Sequence, residues 1–283
     1  MISKENNYKT SNGVKGFYVY CIRAHGVNSG KIKMKGIDSS EEIRAVAFKD
    51  IEALASEIDL SRFNEKKIKN QLQEDPKWTE KNIRRHHDVI AEAYKNSTVI
   101  PMKFGTIFKT KKSLAEMLKT HRRKFKGLLV KLNKKQEWGV KIHLEHEKFV
   151  EFLKKENEEV KKLEQKKSTM SEGGQWYADK KIEESIAAQF EEEVENQLHA
   201  VVRRLEDCCE QIVFCNLLPR EAMAAGKDNV FNAACLINKN KLDYFKKLLQ
   251  EIQKECDQIG ASLVTTGPWP PYNFIELKDE KKR

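Results

Sequence analysis

From Trp138 onward the apolar residues change period four times, and the order of those changes limits the fold more than any other feature of the 283-residue chain. Trp138–Leu144 (WGVKIHL) alternates as a half-buried strand, and residues 145–210 carry a helical pattern interrupted at 168–174. Gln211–Leu218 and Val230–Asn238 read as strands. Lys241–Ile259 is a helix with Leu242, Phe245, Leu249, Ile252, Cys256 and Ile259 on one face, and Ala261–Thr265 is a last strand. Strand, helix, strand, strand, helix, strand (βαββαβ) is the signature of a ferredoxin-like domain, an antiparallel sheet with both helices on one face. Here the first helical region is overlong. Ile182, Ile186, Phe190, Val194, Leu198, Val201 and Leu205 mark its apolar stripe, whereas KKENEEVKKLEQKKS has few apolar positions and is expected to form a charged helical arm or hairpin.

The front half is a less regular mixture. Phe17–Ile22 (FYVYCI), a weaker run at Ile32–Ile37 and the alternating Ile43–Phe48 (IRAVAF) read as strands. A short helix is expected over Asp50–Ile58, with Asp50 as its N-cap. Glu65–Tyr94 is helical with a break at Asp75-Pro76, where proline suits a new first turn. Thr98–Lys103 reads as a strand placed at an edge or a strand end by Pro101, and Lys111–Leu132 as a helix with one apolar stripe. The fold class expected is therefore α+β with two domains: a disordered leader at 1–15, an N-terminal mixed domain at 16–137, a ferredoxin-like domain at 138–276 with its long helical insertion at 145–210, and a charged tail at 277–283.

Hydrophobic residues at 39% and charged residues at 34% suit a polar but folded chain. No apolar stretch approaches the roughly 18–20 residues that span a bilayer, so a lipid membrane is not an expected partner, and with no secretory signal pattern the expected location is cytoplasmic. The net charge of +10 is uneven, with 30 basic and 16 acidic side chains in residues 1–140 against 23 and 27 in the remainder. Such asymmetry suits a polyanion or an acidic protein surface, including that of a second copy.

Signatures of common chemistry are missing. No GxGxxG, P-loop, HExxH, GxSxG or paired CxxC occurs. His86-His87-Asp88 could hold a metal or move a proton, but adjacent helical histidines point apart, which favours one buried and one surface histidine. His143 and His146 lack acidic or thiol companions at ligand spacing. Cys208, Cys209 and Cys215 sit where a helix end enters a buried strand and read as core residues, and all six cysteines read as reduced. Glu191–Glu193 reads as a solvated helix face, and the basic runs at 109–112 and 121–126, which lack the aromatic interleaving of nucleic-acid modules, read as a solvated or protein-docking face. No cofactor, metal or catalytic residue is expected, and the chain does not read as an enzyme. A nucleic-acid-binding module using the basic N-terminal half is the alternative.

Five short segments stand out together: Phe17-Tyr18-Val19-Tyr20; Val99-Ile100-Pro101-Met102-Lys103-Phe104-Gly105-Thr106; Glu137-Trp138-Gly139-Val140-Lys141; Asn232-Ala233-Ala234-Cys235-Leu236-Ile237; and Thr266-Gly267-Pro268-Trp269-Pro270-Pro271-Tyr272-Asn273-Phe274. In this order, spanning Gly16 to Phe274, the set resembles the gas-vesicle synthesis family that includes the F and L proteins. Gly173-Gly174-Gln175-Trp176-Tyr177-Ala178 matches the family pattern before the long helix only loosely. The resemblance implies an accessory protein that binds the very hydrophobic shell protein (GvpA), limits its aggregation during nucleation and stays as a minor vesicle component. Other accessory proteins and self-association are further implied partners. Candidate shell-binding or domain-joining residues are Pro101, Phe104, Gly105, Thr106, Trp138, Gly139, Gly267, Pro268, Trp269, Pro270, Tyr272 and Phe274; the aromatics among them could equally close the second core.

Overall fold

The computed structural model describes residues 14–26, 32–39 and 41–275. Among these the chain is mixed α+β, with seven α-helices and two antiparallel sheets. It divides into two compact units. One runs to Asn133 and takes back the segment that starts at Pro270; the other is Lys134–Trp269. Residues 270–275, grouped with the second domain in the sequence reading, thus lie with the first unit. The leader expected at 1–15 falls outside the described residues up to position 13, Lys15 already being in a strand, and the tail expected at 277–283 falls outside them entirely.

In the first unit β1 (Lys15–Ala24), β2 (Arg44–Phe48), β3 (Ile51–Asp59) and β4 (Val99–Pro101) form a sheet in the order β2-β3-β1-β4, and β5 (Ile107–Phe108) also pairs with β1. Between β3 and β4 lie α1 (Glu65–Glu74) and α2 (Pro76–Asn96), and α3 (Lys111–Leu132) follows β5. Leu54 and Ile58 of β3 share a core cluster with Tyr18, Tyr20 and the inner face of α2, namely Val89, Ile90 and Ala93. Strand alternation turns the buried Ala53 and Ala55 to the opposite face, and α3 packs on β1, β2 and β3. The helices start where the sequence lets them. Asn64 Oδ1 accepts from Lys67 N at 3.0 Å, Asp75 Oδ1 accepts from Trp78 N at 2.9 Å with Pro76 in the first turn, and Thr110 and Ser113 cap reciprocally.

Three expectations fail here for identifiable reasons. Residues 50–58 are not a helix: Ile51–Asp59 is a strand buried on both faces, so it lacks the two-residue alternation that marks a half-buried strand. Asp50 caps nothing and instead holds Arg122 through two bonds of 2.6 and 2.8 Å. The strand expected over 32–37 reduces to an isolated bridge between Lys35 and Glu42. The strand at 98–103 is cut to three residues because the chain turns after Pro101, while the short β5 that follows carried too little pattern to be read.

In the second unit β6 (Lys135–Glu145), β7 (Gln211–Phe214), β8 (Lys227–Asn238) and β9 (Ala261–Trp269) pair antiparallel in the order β7-β8-β6-β9. The helices are α4 (His146–Glu156), α5 (Glu158–Lys167), α6 (Glu172–Cys208) and α7 (Leu242–Gln258). Val140, Ile142 and Leu144 of β6 join Phe231, Ala233, Cys235 and Ile237 of β8 against Phe149, Leu205, Phe245 and Ile252 of the helices. Full burial of a Phe such as Phe149 or Phe245 contributes about 1.5–3 kcal/mol. The long helical region breaks once more than the sequence suggested. Asn157 Oδ1 accepts from both Glu159 N and Val160 N at 2.9 Å and so starts α5 afresh, which folds back on α6 with Val160, Ile182 and Ile186 buried in the same core. β7 is shorter than the 211–218 run because Leu218 N is taken by Asn229 Oδ1 at 2.9 Å.

Candidate partner-binding surface

The segment Pro101–Thr106 is built into the first core. Pro101 ends β4 opposite Cys21, Met102 N donates to Tyr20 O at 2.8 Å, and the chain reverses at Gly105 with φ +84. Only a residue without Cβ takes that conformation freely. Thr106 Oγ1 donates to Lys103 O at 2.7 Å, and Thr106 O receives Val19 N at 2.9 Å, which returns the chain to β1. Phe104 sets its half-buried ring edge-on to Tyr18, Trp78 and His86, with centroids 6.1, 6.3 and 5.6 Å away.

His86 completes this loop and is one of the two histidines singled out for possible chemistry. It is 5% exposed, and burial pushes its pKa down to about 4, so it is neutral at pH 7. Its Nε2 lies 3.0 Å from Met102 O, a carbonyl that only accepts, so Nε2 carries the proton and Nδ1 accepts from the Tyr18 hydroxyl at 3.0 Å. The Tyr18 oxygen in turn accepts from Gly105 N at 3.1 Å. Each polar group in the relay is satisfied, and Tyr18 is itself held protonated by burial. The relay fixes the loop and presents no group to a substrate.

Trp138, Gly139, Gly267, Pro268 and Trp269 form a second group, where β6 runs beside β9. A Cβ on Gly139 would lie 2.7 Å from Thr266 Oγ1, and one on Gly267, at φ +131, would lie 2.9 Å from Glu137 O. Gly139 therefore leaves room for the Thr266 side chain, and Gly267 for the backbone of Glu137. Trp138 donates to Gln136 Oε1 at 3.3 Å and lies edge-on to Phe245 at 6.0 Å, so it belongs to the second core. Trp269 pairs with Glu137, donates through Nε1 to Thr266 Oγ1 at 3.1 Å and remains 37% exposed.

Pro270, Tyr272 and Phe274 are the third group and lie with the first unit. Pro270 and Pro271 are buried, Phe274 is 2% exposed, and Tyr272 stacks on His87 with its hydroxyl 2.8 Å from Nδ1. The twelve residues thus fall into three local constructions, most of which are framework. The sequence reading missed the exposed apolar side chains elsewhere: Trp176 and Tyr177 near the start of α6, and Phe214 and Leu217 at the end of β7, all more than half exposed. No periodicity marks them, because an apolar residue next to a strand end is read as core by default.

Three of the cysteine thiols are held protonated. Burial pushes the Cys208 and Cys256 thiols up to about 11, and Cys209 is raised by its hydrogen bond with Cys235 and by burial, whereas a reactive thiol needs the opposite shift. Among the described residues no three His, Cys, Asp or Glu side chains are grouped to hold a metal ion, and no helix is long and apolar enough to cross a membrane.

Comparison with known proteins accounts for a framework of this kind. Gas vesicle protein F1 of Halobacterium salinarum is 23% identical over 254 residues, covering 87% of each chain, and gas vesicle protein L of a Streptomyces species is 22% identical over 85% of each. The crystal structure of the gas vesicle protein GvpF from Anabaena sp. PCC7120 superposes with a TM-score of 0.65 at 18% identity, covering 92% of this chain and 98% of that one. GvpF from Microcystis aeruginosa gives 0.60 at 17% identity with the same coverage. The fold is shared with both. The family model described as gas vesicle synthesis protein GvpL/GvpF matches residues 16–276, nearly the whole chain, and the chain belongs to that family.

Proposed function

We propose that this chain is an assembly factor that binds the hydrophobic gas-vesicle shell protein GvpA, limits its aggregation during nucleation and stays as a minor component of the vesicle. The observation that carries this is the family match over residues 16–276, which gives the chain a part in gas-vesicle formation. Physical chemistry supplies the rest. A subunit that will line a gas phase exposes large apolar area before assembly, and such area aggregates in water unless another surface covers it. Exposed apolar side chains on a strongly charged body, as at Phe214, Leu217, Trp176 and Trp269, suit that task. The cytoplasm is the place of action, at the vesicle and alongside other accessory proteins. The family match does not favour the nucleic-acid alternative. Copurification of shell protein with the tagged full chain tests the proposal; a chain that retains no shell protein contradicts it.

Within this reading the candidate residues divide. Phe104, Gly105, Thr106, Gly139 and Gly267 serve as framework, a role supported by their hydrogen bonds, ring contacts and close approaches, and Trp269 and Tyr272 are the large side chains among the candidates that stay 37% exposed. We also infer that residues 134–269 form a ferredoxin-like domain with a helical insertion. The support is its element order together with the strand order β7-β8-β6-β9, in which the first and third strands are central. A cooperative thermal melt of residues 134–269 expressed alone is expected; a fragment that stays unfolded contradicts the inference.

A further inference from the structure

Among the described residues β7 pairs with β8 alone and is an edge of its sheet. Cys215 N donates to Asn232 O at 2.8 Å, and because alternate residues of an antiparallel ladder face the neighbouring strand, Gln211, Val213 and Cys215 turn their N–H and C=O groups to β8. The N–H and C=O of Ile212 and Phe214 therefore point away from the sheet. Beside them Phe214 is 63% exposed, touching Phe231 edge-on at 6.1 Å, and Leu217 is 53% exposed.

This exposure is held in place. Asn229, itself 6% exposed, accepts from Leu218 N at 2.9 Å while donating to Ile142 O and Phe231 O, and Asn232 Nδ2 donates to Asn216 O at 2.6 Å. The segment 211–226 carries two charged residues, Arg220 and Glu221, in a chain that is 34% charged, and Arg220 is engaged by Asp228 at 2.7 Å. The opposite edge differs. On β9 the outward Leu263 N donates to Gln253 Oε1 at 3.2 Å, and Pro268 has no N–H to offer. Folded proteins usually blunt an edge with a lysine, a proline or a covering side chain; β9 is blunted in this way, and among the described residues β7 is not.

We propose that the outer edge of β7 receives an uncharged, apolar, extended segment of the shell protein as an added strand. This rests on the shell-binding reading above and names its site. Ile212 and Phe214 supply the main-chain ladder, which only another extended backbone can complete, and Phe214 with Leu217 covers the apolar side chains of the incoming segment. A charged segment would meet little counter-charge, since Arg220 is already paired.

The test uses the tagged full chain and shell protein diluted together from denaturant, with retained shell protein as readout. Phe214→Lys combined with Leu217→Lys lowers retention about tenfold or more, whereas Val264→Lys, on the exposed part of β9, leaves it unchanged. Both replaced side chains are more than half exposed, so the melting temperature of the double variant stays near that of the wild type. In the wild-type complex, amide exchange at Ile212 and Phe214 slows. Retention by the double variant equal to wild type, or unslowed exchange at these two amides in a complex that does form, overturns the β7 edge and leaves shell binding standing. No retention by the wild type overturns the shell-binding reading and this partner with it.

Discussion

The loop Pro101–Thr106 follows a sheet strand and the segment Gln211–Gly226 begins with one, and they use their polar groups in opposite ways. In the first, the Gly105 amide, the Tyr18 hydroxyl, the His86 ring and the Met102 carbonyl satisfy one another in sequence, and Phe104 is ringed by aromatics. In the second, two backbone positions face outward and two large apolar side chains lie in water. The contrast separates recognisability from function. One of the segments that carry the family resemblance is internally complete, and the segment proposed to receive a partner carries no motif.

That contrast can be broken by substitution, beginning with the first unit, where the largest effect is expected. Arg23 and Glu52 form a buried ion pair of 2.6 Å, with Arg23 3% and Glu52 2% exposed. Glu52→Ala strands a buried guanidinium and lowers stability by about 3–5 kcal/mol in denaturant titrations. Titration of His86 comes next. Its folded pKa of about 4 lies below the ordinary 6.5, so the unfolded chain binds the proton more readily. The associated stability is whole above pH 6.5 and is lost as pH falls towards 4, reaching about 3 kcal/mol. The measurement is the pH dependence of unfolding in wild type and His86→Gln, the variant lacking that portion of the slope.

Smaller effects complete the comparison. Phe104→Ala removes a half-buried ring from the aromatic cluster, and a loss of about 2–3 kcal/mol is expected, visible as a lower denaturant midpoint. Gly267→Ala, at φ +131 and facing Glu137 O, costs about 1–3 kcal/mol by the same measurement. Phe214→Lys is expected to change stability by less than about 0.5 kcal/mol, because little of the side chain is buried. Should Phe214→Lys prove as destabilising as Phe104→Ala, the division between framework and partner surface fails.

Much of the architecture was legible from periodicity. The α3 stripe, the capped starts at Asp75-Pro76 and the strand and helix order of the second unit all follow local rules that the fold respects. What periodicity could not reach was tertiary in origin. Ile51–Asp59 is apolar on both sides because it lies inside a sheet covered on both faces, and its apparent helical character disappears once Glu52 is paired with Arg23 and Ser56 with Tyr20. The break at Asn157 depends on one side chain capping α5 within a charged run. The motif residues were legible as a set, yet their division into framework and exposed members was not, since exposure of Trp269 and burial of Phe274 depend on contacts remote in sequence. Phe214 and Leu217 were hidden for the same reason: nothing in QIVFCNLL tells an edge strand from a central one.

The most direct test follows light scattering as denatured shell protein is diluted into buffer containing an equimolar amount of the full chain. The wild type should hold scattering low, Phe104→Ala should do the same at temperatures where it remains folded, and Phe214→Lys with Leu217→Lys should allow scattering to rise as it does without the chain. Scattering that rises equally with and without wild-type chain would contradict a role in shielding shell protein.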